Sequence, residues 1–242
     1  MSRTFVIGDI HGALKALEQL LDRMDPKQGD HLIFLGDYVD GWSQSAQVIQ
    51  LLTELDTYYD CIFIKGNHDV WCEEWLAGGI PDPNWLMHGG IATVTSYGSL
   101  GEEQRQQHLA FFNRMRNYYE NDRRLFIHAG FSSMHGPHNE HYSSTYSWDR
   151  TLWEVALATD TRIKKTSYRY PKRLKLYDEI FIGHTPTVNY DIMKPMHAHN
   201  VWNVDTGAAF DGKLAGMEIH TKEVWQSDVV MKLYPNEKGR NK

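Results

Sequence analysis

The sequence has only two cysteines among its 242 residues, and they form no CxxC pair. Cys61 and Cys72 therefore provide neither a disulfide framework nor a thiolate zinc site. No apolar stretch approaches the roughly 20 residues of a membrane-spanning helix, and the first residues contain no charged-then-apolar leader. These absences predict a cytoplasmic protein with no membrane partner.

The sequence also lacks an excess of basic residues, and its formal net charge is −6. This acidity argues against broad binding to nucleic acid, which requires clustered positive charge. It still permits a small anionic substrate that is held by local cations or by metal. No repeat or low-complexity linker divides the chain, so we predict a single domain over residues 1–235. A polar tail, 236–242, follows and is expected to fray.

Short apolar runs recur along the chain, and each ends at glycine or at a polar residue. The runs cover residues 5–7, 32–35, 62–64, 125–127, 180–182 and 201–204. Runs of this length, rich in Ile, Val and Phe, are typical of buried strands. Apolar residues at helical spacing in 14–21 and 46–52 separate the first three runs. The alternation predicts an α/β fold, in which ligands collect at the carboxyl ends of strands.

The remaining segments give two further predictions of secondary structure. Residues 89–117 have the pattern of a helical stretch that ends in an amphipathic turn. The chain after His184 has the pattern of strands, with residues 214–219 and 223–225 as the late strands.

Side chains that can bind metals or move protons follow these apolar runs. They are Asp9, His11, Asp37, Asp40, Asn67, His68, His128 and His184. Oxygen and imidazole ligands without thiolate favour manganese, iron, zinc or magnesium. Any one of these residues alone could be a turn residue or an ordinary hydrogen-bonded histidine. Five such sites at five strand ends are hard to obtain from turn chemistry alone, so the set predicts a metal centre.

Five motifs in this set resemble the ordered motifs of the calcineurin-like metallophosphoesterases. They lie at residues 8–12, 36–41, 66–69, 128–130 and 183–185. Within that superfamily they are most similar to the phosphoprotein phosphatase (PPP) family, including its bacterial-type serine/threonine phosphatases and the related diadenosine tetraphosphatases. The resemblance implies a β-sandwich of two mixed sheets flanked by helices, with the active site at the carboxyl ends of strands. Pro186 stands where nuclease and phosphodiesterase relatives usually have a second histidine, which favours the phosphatase branch.

The resemblance also implies a role for each motif residue. Six residues would hold two divalent ions, manganese first among the candidates: Asp9 and His11 the first, Asn67, His128 and His184 the second, with Asp37 bridging both. Two such ions, about 3.5–4 Å apart, can share a hydroxide for in-line attack on phosphorus. His68 would be the general acid that protonates the leaving oxygen, and Asp40 would orient its ring. The alternative is that His68 only packs or hydrogen-bonds beside the site. Asp69 is predicted to serve local structure.

Two positions bear on how phosphate is held. Gly41 stands where the family usually has a phosphate-clamping arginine, so a bidentate contact is missing there. Arg150 is the best candidate for the family's second arginine, and its alternative is a surface ion pair with Asp149 or Glu154. The basic segment 162–175 is either a solvated loop or a cationic rim that attracts anionic substrates.

Together these features predict a metal-dependent phosphatase of phosphomonoesters, of the serine/threonine protein phosphatase type. Its partner would be a phosphorylated protein or a small phosphoester or nucleotide. The alternative is a hydrolase of dinucleoside polyphosphates such as diadenosine tetraphosphate, which the glycine at position 41 keeps open. A nuclease is disfavoured by Pro186 and by the acidic charge, and a non-catalytic scaffold is disfavoured because all six ligand positions are filled.

Overall fold

The computed structural model describes residues 2–241, and its strands form two five-stranded sheets. The strands are β1 Thr4–Ile7, β2 His31–Phe34, β3 Asp60–Phe63, β4 Tyr118–Asn121, β5 Arg124–Ile127, β6 Glu179–Ile182, β7 Met196–Ala198, β8 Val201–Asn203, β9 Ala215–Glu218 and β10 Val224–Gln226. The first sheet has the order β10-β9-β1-β2-β3 and the second the order β4-β5-β6-β8-β7. Both sheets are mixed, because parallel central strands have antiparallel neighbours at the edges.

The helices cover the outer faces and the connections. They are α1 Leu14–Met24, α2 Ser45–Leu55, α3 Asn67–Leu76, α4 Pro83–Trp85, α5 Ile91–Ser96, α6 Glu102–Asn113, α7 Thr145–Trp148, α8 Thr151–Ala158, α9 Lys172–Lys175 and α10 Val230–Leu233. The leucine stripe of α1 is buried at Leu17 and Leu20, as its helical spacing predicts. No helix of residues 2–241 is long and apolar enough to cross a bilayer.

A layer of apolar side chains lies between the sheets and holds them face to face. Val6 and Ile33 from the first sheet belong to one buried cluster with Phe126 and Phe181 from the second. The rings of Phe126 and Phe181 stack with centroids 5.0 Å apart. Separate clusters pack the helices against the outer face of each sheet. This arrangement is the sandwich of two mixed sheets that the motifs predict, and it is confirmed.

The register aligns the strand ends that carry the polar motifs. Ile7 of β1 lies opposite Phe34 of β2, and Phe34 lies opposite Phe63 of β3, with all three strands parallel. In the second sheet β5, β6 and β8 are also parallel. Since parallel strands end at the same edge of a sheet, the motifs that follow them meet there.

The predicted helical stretch 89–117 is broken in the structure. Gly89, with φ +109°, interrupts a wide helical turn, Leu86–Gly90, and α6 ends at Asn113. Beyond α6, Arg116 forms a β-bridge with Ile64, so the chain is already extended there. Edge strands β4 and β7 were not predicted.

The division into one domain, 1–235, and a tail remains a prediction. The described part of the tail, up to Asn241, contacts the body rather than fraying, because the Arg240 N–H donates to the Ala209 carbonyl at 2.8 Å. The side chain of Glu237 accepts hydrogen bonds from the backbone and hydroxyl of Ser43.

Candidate metal centre

Six predicted ligands from five separate segments come together at one edge of the sandwich. Asp9 and His11 follow β1, Asp37 follows β2, Asn67 begins α3, His128 follows β5 and His184 follows β6. All six residues are buried. The structure therefore brings every predicted ligand to one place, although the residues span 176 positions of sequence from first to last.

Backbone conformation at the strand ends turns these side chains inward. His11, Asp37 and His184 all have positive φ, between 53° and 68°. Non-glycine residues seldom adopt this left-handed conformation, and they concentrate at functional sites. A Cβ at Gly66 would lie 2.1 Å from Asp37 Oδ1, and one at Gly183 would lie 2.1 Å from Asp9 Oδ1. Only glycine permits this close approach of backbone and carboxylate.

Asp37 is at the centre of the group. Its Oδ2 lies 3.3 Å from His128 Nε2 and 3.7 Å from His11 Nε2. Asn67 Oδ1 is 3.3 Å from His128 Nε2, and Asp9 Oδ2 is 4.0 Å from His11 Nε2. This is the position that a carboxylate shared by two ions needs.

Second hydrogen bonds fix the orientation of two histidine rings. The Nδ1 of His128 donates to the Leu35 carbonyl at 2.8 Å, and the Nδ1 of His11 donates to the Val39 carbonyl at 3.1 Å. Each ring therefore turns its Nε2 toward the carboxylates. Metal-binding histidines commonly have this second hydrogen bond, which sets the tautomer and the ring direction.

The electrostatics of the group call for positive charge. Burial, followed by repulsion from Asp205, holds the pKa of Asp9 well above its usual range. Burial opposes the charged form of His128, but the carboxylates of Asp37 and Asp9 raise its pKa to about 10. Both shifts favour the protonated form of the buried group, so the site attracts positive charge, which divalent cations would supply in place of protons.

Two observations test whether these residues fit metal ions. Among residues 2–241, buried Asp9 Oδ1 and His184 Nε2 have no hydrogen-bond partner, which is costly unless a ligand supplies one. Ligand atoms of Asp37, His128 and His184 lie within 4.8 Å of one another, and so do those of His11, Asp37 and His68. The residues fit two ions that share Asp37.

The second of these groups contains His68 where the sequence predicts Asp9. His68 already has a partner, since its Nδ1 lies 2.5 Å from Asp40 Oδ2. Asp9 Oδ1, in contrast, is buried without one. These contacts favour Asp9 as the metal ligand and leave His68 for another task.

The carboxylate of Asp40 is held rigidly beneath His68. Trp85 Nε1 donates to its Oδ2 at 2.6 Å, and the Thr93 hydroxyl donates to its Oδ1 at 2.6 Å. The backbone N–H of His68 in turn donates to Asp37 Oδ1 at 3.0 Å. The predicted pair of His68 and Asp40 therefore exists as a buried, fixed unit beside the ligands.

Asp69 serves local structure. Its two carboxylate oxygens accept from the backbone N–H groups of Gly66, Asp37 and Tyr38 at 2.8 to 2.9 Å. The side chain thereby joins the end of β2 to the start of α3 and positions Asp37.

We predict that Asp69→Ala lowers the free energy of unfolding of the metal-free protein by about 3–5 kcal/mol, because three buried N–H groups lose their acceptor. Urea unfolding measures this change. Asp22→Ala, at an exposed acid of α1, is the control and should stay within about 0.5 kcal/mol. A loss for Asp69→Ala no larger than that of the control would contradict this role.

Four of the six predicted ligands line a cavity of about 470 Å³: His11, Asp37, Asn67 and His184. Aromatic rings form one side of its rim: Trp71 and Trp148 meet edge to face at 5.1 Å, and His88 stacks on Trp71 at 6.3 Å. Trp148 is 45% exposed, a high value for so large an apolar side chain. The rim thus offers aromatic surface next to the ligands.

Arg150 lines this cavity, where it donates to the Thr185 hydroxyl at 3.3 Å. Among residues 2–241 it makes no ion pair with Asp149 or Glu154, the alternative for its role. The basic segment contributes no residue to the cavity lining. In that segment, Arg162 pairs with Asp160 and Arg173 donates to the Phe131 carbonyl.

Sequence reasoning missed other residues of the cavity. Asp205 follows β8, is buried, and lines the cavity, and burial raises its pKa to about 6. Its signal was present, because the run 201–204 ends at this acid as the other runs end at theirs. Arg240 and Phe210 also line the cavity, and no strand-end pattern marks either of them.

Comparison with known proteins agrees with this geometry. A family model described as calcineurin-like phosphoesterase matches residues 2–203. The chain is 25% identical over 233 residues to the asymmetrical bis(5'-nucleosyl)-tetraphosphatase of Halalkalibacterium halodurans, covering 88% of each protein. It is 28% identical over 216 residues to serine/threonine-protein phosphatase 1 of Salmonella typhimurium, covering 87% of this chain and 88% of the relative.

The fold has a close match among solved structures. A crystal structure of a putative diadenosine tetraphosphatase superposes with a TM-score of 0.63 at 16% identity, covering 93% of this chain and 92% of the other.

Proposed function

The chain belongs to the calcineurin-like phosphoesterase family, and from that premise we propose that it is a two-metal phosphatase of phosphomonoesters, of the serine/threonine protein phosphatase type. That it is a phosphoric ester hydrolase follows from its family and its relatives. The substrate class is our proposal, and the observation that carries it is the buried pair of His68 and Asp40.

In this proposal six residues hold the ions: Asp9 and His11 the first, Asn67, His128 and His184 the second, and Asp37 both. When bound, such ions lower the pKa of water and offset the charge of phosphoryl oxygens. Manganese is the first candidate, and iron, zinc and magnesium also suit nitrogen and oxygen donors. The unpartnered atoms of Asp9 and His184 support this assignment.

His68 gives the reason for choosing phosphomonoesters of alcohols. A serine or threonine alkoxide is a poor leaving group, so its oxygen must receive a proton as the P–O bond breaks. His68 can supply that proton from Nε2, because Asp40 holds Nδ1 and stabilises the charged ring. A nucleotide leaving group is far more acidic and needs this proton much less.

Arg150 would hold the phosphoryl group from the cavity wall. Among residues 2–241 its guanidinium donates a hydrogen bond only to the Thr185 hydroxyl, so most of its donors are available for phosphate oxygens. This supports the role of phosphate clamp that the sequence suggests.

Hydrolysis of dinucleoside polyphosphates is the second candidate. The rim formed by Trp71, Trp148 and His88 favours it, because purine rings stack on aromatic side chains of this kind. The similarity to bis(5'-nucleosyl)-tetraphosphatases also supports it.

Product analysis separates the two candidates. Metal-stripped protein is resupplied with each divalent ion in turn and offered a phosphoserine peptide and diadenosine tetraphosphate, and the products are separated by chromatography. We expect inorganic phosphate from the peptide with the higher kcat/KM. Nucleotides released from diadenosine tetraphosphate, with no phosphate from the peptide, would overturn the first candidate. Location in the cytoplasm remains a prediction.

A further inference from the structure

The side chain of Arg240 occupies the space beside Gly41, the position that lacks the family's arginine. A Cβ at Gly41 would lie 3.3 Å from Arg240 Cγ and 3.7 Å from its Cδ. A Cβ at Gly89 would also lie 3.3 Å from that Cγ. Both glycines have positive φ, +94° and +109°, so other residues would be strained there. The two glycines form a notch that the stem of Arg240 fills.

Trp42, the residue after Gly41, fixes the chain that carries Arg240. Its ring stacks on Tyr234 with centroids 5.1 Å apart, and its Nε1 donates to the Ala208 carbonyl at 2.8 Å. Gly239 lies so close to Trp42 that a Cβ there would approach its ring to 2.6 Å. Trp42, which follows Gly41 of the notch, thus holds the segment at Gly239, the residue before Arg240.

Further contacts hold the same segment on both sides. The Arg240 N–H donates to the Ala209 carbonyl at 2.8 Å. The carboxylate of Glu237 accepts from the Ser43 N–H at 3.0 Å and from the Ser43 hydroxyl at 2.7 Å. These bonds keep Arg240 at one position, as a residue that binds substrate requires.

The guanidinium of Arg240 reaches the cavity above the metal ligands. Arg240 lines the same cavity as His11, Asp37 and His68. Its Cζ lies 5.4 Å from the centre of the Phe210 ring, which also lines the cavity. Within residues 2–241 the guanidinium makes no hydrogen bond and no ion pair. A half-buried arginine in this state has donors available for an anion.

We propose that Arg240 binds the phosphoryl group of the substrate and does so from the place left open by Gly41. The proposal rests on the proposed phosphoester hydrolysis at this site. Arg150 and Arg240 then contact the phosphoryl oxygens from two parts of the chain, one after β5 and one after α10. The glycine at position 41 is explained, because it makes room for the stem of Arg240, and Trp42 beside it holds the segment.

The test measures phosphate binding separately from turnover. Isothermal titration of inorganic phosphate into manganese-loaded protein gives a Kd, and a phosphoserine peptide gives kcat and KM. For Arg240→Gln we expect Kd to rise about tenfold and kcat/KM to fall about 10- to 100-fold. Arg240→Lys should recover part of the loss, since it restores the charge but not the paired donors.

Lys238→Gln is the matched control, because it removes one positive charge from an exposed residue of the same segment. It should change neither the Kd for phosphate nor kcat/KM for the peptide by more than about twofold. Glu237→Gln tests the anchoring, and we expect it to weaken phosphate binding by less than Arg240→Gln does. Thermal unfolding of each variant shows that the fold is intact.

The outcomes distinguish this inference from the proposed function. If wild-type protein binds phosphate and hydrolyses the peptide, but Arg240→Gln matches Lys238→Gln in both assays, the role of Arg240 is refuted and the proposed function stands. If no phosphomonoester is hydrolysed, the proposed function fails. A weaker Kd in Arg240→Gln would still support the arginine as a phosphate-binding residue in that case.

Discussion

Asp37→Asn is expected to lower kcat at least about a thousandfold for every substrate, the largest effect of any substitution in the site. Asp37 Oδ2 lies between His128 Nε2 and His11 Nε2, at 3.3 and 3.7 Å. An amide there removes the negative charge that both candidate ion positions share. Metal binding should therefore weaken at both positions together, and the loss of kcat should not depend on the leaving group.

Metal analysis by mass spectrometry checks this mechanism directly. Asp37→Asn should retain less than one equivalent of manganese after dialysis, against two for the wild type. Asp22→Asn, at an exposed acid of α1, controls for loss of one carboxylate. Two equivalents of bound metal together with normal turnover in Asp37→Asn would show that Asp37 does not link the ions.

The ligand positions could be predicted from the sequence because their causes are local. A short apolar run, a glycine and a polar residue are neighbours in sequence, and parallel pairing brings several such ends to one edge. Asp205, which is not in the predicted ligand set, obeys the same rule. The local signal was as clear there as at His128.

The cavity wall could not be predicted in this way. Arg240 reaches the notch at Gly41 through the stacking of Trp42 on Tyr234, a contact between residues far apart in the chain. No periodicity records such a contact. For the same reason the predicted helix at 89–117 failed at Gly89, whose positive φ fits the backbone against Gly41, with the Gly41 N–H bonded to the Gly89 carbonyl at 3.3 Å.

The unpredicted edge strands have a different cause. β4 consists of Tyr118, Tyr119, Glu120 and Asn121, which is neither a continuous apolar run nor a clean alternation. It forms because it pairs with β5 over four residues. In strands of this length, pairing with a buried neighbour outweighs the intrinsic preference of the residues for strand or non-strand conformation.

His68→Asn is the second substitution with a large expected effect, and that effect should depend on the leaving group. For a phosphoserine peptide we expect kcat to fall about 10²- to 10³-fold, because the serine oxygen no longer receives a proton from Nε2. For p-nitrophenyl phosphate, whose leaving phenolate is stable without a proton, the fall should stay below about fivefold. Asparagine keeps a polar group near Asp40 but cannot act as an acid.

A structural defect would lower kcat for both substrates alike, so a larger loss for the peptide identifies His68 as the acid. Metal content should remain at the wild-type value, which separates this variant from Asp37→Asn. His220→Asn, at an exposed histidine far along the chain, is the control. Equal slowing of the peptide and of p-nitrophenyl phosphate would exclude His68 as the acid. The aromatic rim would then be the stronger guide to the substrate, because a nucleotide leaving group can depart without a proton from His68.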